Sequence, residues 1–107
     1  MAALLLENKA SVDLQKEDGE TALMVASYWG RKEVAAVLLE NKASVDLQKK
    51  NGETALMVAS WRGQKEVAAV LLEKGATIDL KANNGNTALM VAKEKGHHDI
   101  AAVLQSQ

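Results

Sequence analysis

The chain has 107 residues, a formal net charge of −1 and 48% apolar residues, with no cysteine and no proline. That is one domain's worth of sequence, and it lacks the basic stripe that a nucleic-acid surface needs. Without cysteine there is no disulfide framework, no thiolate zinc site and no cysteine nucleophile. With no Phe, two Trp and one Tyr, a core must come from Ala, Leu, Val and Met, which suits thin, closely packed helices.

The chain opens on Ala2–Leu6, a short apolar run with no basic lead and no cleavage site. It is too short for a signal peptide or a membrane span. The expected location is therefore intracellular, in the cytoplasm, with no membrane contact. Met1–Glu17 matches Val34–Lys50 at 14 of 17 positions. The segment from Asp18 onward is the full unit behind that match. Asp18-Gly19 is a turn signal, because Gly tolerates positive φ. Thr21 is placed to cap a helix over Ala22–Trp29 through its hydroxyl, and Gly30 ends that helix. Arg31-Lys32-Glu33 opens a second helix, with Val34, Val37 and Leu38 on its apolar face. Asn41-Lys42 closes it, and Ala43–Leu47 alternates in a way that predicts an extended lead into the next turn.

The same grammar then repeats. Thr21-Ala22-Leu23-Met24-Val25-Ala26 recurs at Thr54–Ala59 and at Thr87–Ala92, 33 residues apart each time. Asp18–Lys50 and Asn51–Asn83 match at 22 of 33 positions without a gap. Residues 84–107 form a third copy that stops after its second helix. The expected organisation is one domain over 1–107: a partial repeat at 1–17, repeats at 18–50 and 51–83, and a shortened repeat at 84–107. A fixed period of this length signals stacked units, since one helix pair cannot bury its faces alone. The expected fold is all-α, a solenoid of helix-turn-helix units with β-turn or hairpin tips.

A 33-residue turn–helix–helix unit whose first helix opens Gly-x-Thr-x-Leu-x-x-Ala resembles the ankyrin repeat. Gly19–Ala26 and its two copies carry the resemblance. Leu38-Leu39 and Leu71-Leu72, with Ala43–Asp46 and Ala76–Asp79, extend it over essentially the whole chain. On this pattern Ala2–Leu6 reads as a core helix. The chain departs from the family's Thr-Pro-Leu-His by reading Thr-Ala-Leu-Met. Ala22, Ala55 and Ala88 stand in for a proline preorganised for the first helical turn. Met24, Met57 and Met90 replace a histidine that ties the turn by hydrogen bonds, and a methionine there is expected to fill space. Lys9 and Lys42 stand where Gly75 has a left-handed cap, a conformation that costs a side chain about 1 kcal/mol. The open N-terminal end is expected to expose Leu and Ala surface, which makes a homodimer through that face one possible partner arrangement.

Function is expected where the copies differ. Tyr28-Trp29 becomes Trp61-Arg62 and then Glu94-Lys95, so all the aromatics fall at two adjacent positions of the unit. The ankyrin resemblance implies that these positions line a concave binding face. Tyr, Trp and Arg dominate binding hot spots, and first helices about 8–10 Å apart would join Tyr28, Trp29, Trp61 and Arg62 into one patch. The plainer reading has the rings simply covering helix ends and packing between repeats. The turn tips vary too, with Glu20, Glu53 and Asn86 as rim candidates. The expected function is a non-catalytic module binding a protein or peptide. The alternative is a structural spacer or self-associating fragment of a longer array. No cofactor and no metal are expected. Adjacent His97 and His98 point about 100° apart on a helix and make poor chelators. No i, i+4 His pair, no Ser-His-Asp set and no phosphate loop is present.

Overall fold

The computed structural model describes residues 12–107, as six helices in chain order. These are α1 (Ala22–Trp29), α2 (Lys32–Glu40), α3 (Ala55–Arg62), α4 (Lys65–Glu73), α5 (Ala88–Glu94) and α6 (His98–Gln105). The expected helix at Met1–Asn8 and the expected cap at Lys9 lie outside the described residues. Each odd-numbered helix packs on the even-numbered one after it. α3 lies between α1 and α5, and α4 between α2 and α6. The result is two parallel layers of helices, with turn tips along one side.

The starts of the odd helices follow from one threonine each. Thr21 Oγ1 accepts the Met24 N–H at 3.2 Å, and Thr54 and Thr87 cap Met57 and Met90 at 3.3 Å. Each cap satisfies an amide that the first turn leaves without a helical partner. The helix ends also follow the sequence. Gly30 and Gly63 adopt φ of 71° and 75°. Lys42 is the one non-glycine residue with positive φ, at 74°, among those described. It closes α2 with two bonds, Lys42 N–H to Leu39 O at 3.1 Å and Ala43 N–H to Leu38 O at 3.0 Å. Gly75 makes the same pair at the end of α4.

Ala43–Leu47 departs from the extended expectation. It turns at Val45-Asp46, and no strand forms among the described residues. The alternation is nevertheless real, since Ala43, Val45 and Leu47 are the residues that pack against the core. The turn places Asp46 where its carboxylate can reach the loop that follows α4. Asp46 accepts both the Thr77 N–H at 2.9 Å and the Thr77 hydroxyl at 2.6 Å. Asp13 clamps Ser44 in the same way.

The tips are tight hairpins. Gly19 N–H donates to Lys16 O at 2.8 Å, and Lys16 N–H to Glu20 O at 2.9 Å. Asp18 Oδ1 accepts the Glu20 N–H, and this bond holds the Asp18 carboxyl below its ordinary pKa. Neighbouring tips join through one amide each, Lys50 N–H to Asp18 O and Asn83 N–H to Asn51 O, both 2.8 Å. This closeness is why Gly52 must be glycine: a Cβ there would stand 2.7 Å from the Asn83 nitrogen.

Leucines, alanines and methionines fill the space between layers. Met24 and Met57 are 1% and 3% exposed, so they fill space as the sequence suggests. Burying such a side chain is worth about 1.5–3 kcal/mol. Met90 differs at 50% exposed, because among the described residues no helix packs over that side of α5. Ser27 and Ser60 are fully buried, each donating its hydroxyl to a carbonyl one turn back at 2.7 Å.

Candidate functional site

The odd helices and the tips enclose a groove of about 450 Å³. Its helix wall carries Tyr28, Trp61, Glu94 and Lys95, and its tip wall carries Glu20, Lys49, Glu53, Asn84 and Asn86. Met57, Val58 and Val91 form an apolar floor between them. Seven of the nine residues singled out from sequence therefore line one cavity. Trp29 and Arg62 do not line it; both are exposed, Trp29 at 60%, and each meets the Tyr28 ring that does.

The four residues expected to form a patch are in contact. The Tyr28 and Trp29 rings meet edge-on with centroids 4.9 Å apart, and Tyr28 and Trp61 are 6.2 Å apart. The Arg62 guanidinium lies 4.3 Å from the Tyr28 centroid and 5.9 Å from that of Trp61. Its Nε also donates to the Tyr28 carbonyl at 3.4 Å. Lys95 Nζ stands 5.8 Å from the Trp61 centroid. A cation at such a distance is attracted by the ring quadrupole. Trp61 remains 45% exposed, so the rings cover the helix ends while one face stays open to the groove.

The backbone under these rings is held from the neighbouring helix pair. The residues that open α4 and α6 make no capping bond with their side chains. They reach back across the interface instead. Gln64 Nε2 donates to the Tyr28 carbonyl at 2.9 Å, and His97 Nε2 lies 3.1 Å from the Trp61 carbonyl. A carbonyl only accepts, so this bond requires the His97 proton on Nε2. His97 is a tie between helix pairs, and no group of three or more potential metal ligands occurs among the described residues.

The tip wall is held more loosely. Lys16 pairs with Glu20 at 3.2 Å and Lys49 with Glu53 at 3.9 Å. Exposed pairs of this kind are worth about 0–1 kcal/mol. Asn86 donates its N–H to Asn84 Oδ1 at 3.0 Å, which repeats in neutral form the bond that Asp18 makes to Glu20.

The model of the family described as ankyrin repeats in three copies matches residues 1–82 and 45–107. The chain belongs to the ankyrin repeat family. Ankyrin repeats are in general protein–protein interaction modules and are typically non-catalytic. No curated protein matches the chain. No helix among the described residues is long and apolar enough to cross a membrane.

Sequence comparison between the ankyrin copies missed the groove floor. Met57, Val58 and Val91 belong to the invariant hexad and read as scaffold. The signal was the helical period, since Val58 and Met57 precede Trp61 by three and four residues and so share its face. Val91 precedes Glu94 by three.

Proposed function

We propose that this ankyrin array is a non-catalytic interaction module that takes a protein or peptide segment in the groove between the odd helices and the tips. Tyr28, Trp29 and Trp61 act as anchors, Arg62, Glu94 and Lys95 supply charged contacts, and Glu20, Glu53 and Asn86 form the rim. The observation that carries this reading is the Trp61 ring. It is held by Tyr28, Arg62 and Lys95, yet remains 45% exposed over an apolar floor. A fixed aromatic contributes contact area at low ordering cost, and such residues typically lose 2 kcal/mol or more of binding energy when truncated, about 30-fold in affinity. A cytoplasmic location fits a chain without cysteine.

The test is retention of partners from a cell lysate by the immobilised chain, read by mass spectrometry against the Trp29→Ala/Trp61→Ala variant. Proteins held by the parent and lost by the folded variant support the proposal. An unchanged set of retained proteins removes the aromatic anchors from it.

A second reading is a spacer or self-associating segment of a longer array. It draws on Val34 and Val37, which are 48% and 40% exposed on α2, whereas on α4 the equivalent Val67 is buried and Val70 half-buried. Light scattering tests its self-association half, because a chain that stays monomeric at high concentration does not self-associate.

A further inference from the structure

No ion pair among the described residues includes Arg62, Glu94 or Lys95. Lys16–Glu20 and Lys49–Glu53 brace the tips, while Lys32–Glu66 and Lys65–Asp99 join successive even helices. Two of the three groove carboxylates, Glu20 and Glu53, therefore already face lysines. Arg62 and Lys95 belong to no pair. They occupy equivalent positions one unit apart, and both lean on the rings of the preceding helix. An exposed cation–ring contact is worth about 0.5–1 kcal/mol. It steadies the side chain without neutralising its charge. The charges left uncompensated at the groove are thus Arg62 and Lys95 against Glu94 alone.

We infer that the groove selects an acidic, apolar peptide segment, with a carboxylate seated between Arg62 and Lys95 beside Trp61. This rests on the interaction-module reading and adds the chemistry of the partner. The Arg62 Nε is engaged by the Tyr28 carbonyl. Its terminal N–H groups form a planar fork that matches a carboxylate. An apolar side chain next to that carboxylate meets Met57, Val58 and Val91 on the floor. A basic segment finds only Glu94 unpaired and must approach two fixed cations, and like charges brought together suppress the wrong partner.

Titration calorimetry of the full chain tests this with two blocked hexapeptides, one alternating leucine with glutamate and one alternating leucine with lysine. The glutamate peptide is expected to bind about tenfold or more tighter, with affinity falling as salt rises. The preference is expected to vanish in Arg62→Gln/Lys95→Gln. Both sites are exposed, and the single variants serve if the double one melts early. A tighter lysine peptide, or a preference that survives the double variant, overturns the inference. If the lysine peptide wins and loses its binding in Trp61→Ala, the groove reading stands and only the acidic choice falls. If neither peptide binds, while retention from lysate still depends on Trp29 and Trp61, the acidic choice falls in the same way. If that retention is absent as well, both readings fall.

Discussion

Lys42→Gly tests the link from sequence to backbone most directly. Lys42 sits at φ 74°, and Gly75 does the same work at φ 89° with the same two closing bonds. The lysine side chain is exposed and makes no hydrogen bond or ion pair among the described residues, so little is lost with it. Holding an L-residue in the left-handed region costs roughly 1–2 kcal/mol. Glycine offsets part of the gain by about 0.5–1 kcal/mol through a freer unfolded chain. A net stabilisation of about 0.5–1 kcal/mol follows, which for a domain of this size raises the melting temperature by about 2–6 °C. The reverse change, Gly75→Lys, is expected to lower it by a similar amount. A third variant controls for composition: Lys74→Gly, one residue earlier at φ −94°, carries the glycine cost without the relief and is expected to melt lower. Thermal unfolding followed by far-UV circular dichroism reads all three. A Lys42→Gly melt that is unchanged or lower refutes the reasoning, as does a Lys74→Gly that matches it.

Two further pairs use the repetition as its own control. Asp46→Ala removes the clamp on Thr77 and is expected to cost about 1 kcal/mol, because both bonds are charge-assisted yet exposed. Asp79→Ala, whose carboxylate has no such partner among the described residues, is expected to stay within about 0.5 kcal/mol in urea titration. Met57→Ala opens the space between layers and is expected to cost about 2–5 kcal/mol. Met90→Ala, at a half-exposed site, is expected to cost under about 1 kcal/mol. Equal losses in either pair count against the packing described above.

The helices were legible because their signals are local. Thr21, Gly30 and the apolar spacing act within a few residues, and Ala22–Trp29 forms as read. The left-handed backbone at Lys42 was also legible, because Gly75 marks the same position one unit later. What joins one unit to the next was not. The reach of Gln64 to Tyr28, of His97 to Trp61 and of Asp46 to Thr77 spans 31 to 36 residues. No single unit contains both partners. The placement of Lys95 over Trp61 is hidden for the same reason. Adjacent positions in two copies reveal variation, but only the stacked backbone shows which cation stands over which ring.

The ties between helix pairs are of one kind but not of one strength. Between α1–α2 and α3–α4, Arg62 and Gln64 both hold the Tyr28 carbonyl, and the Asp46 carboxylate clamps Thr77. Between α3–α4 and α5–α6, His97 reaches the Trp61 carbonyl and the Asn83 side chain adds a bond to Lys50 O, while Asp79 has no clamp partner among the described residues. Each unit leans only on its neighbours, so tension along the stack is expected to open the second joint before the first. Lys95 meets the Trp61 ring across that joint, so the shape of the site changes where the array gives first.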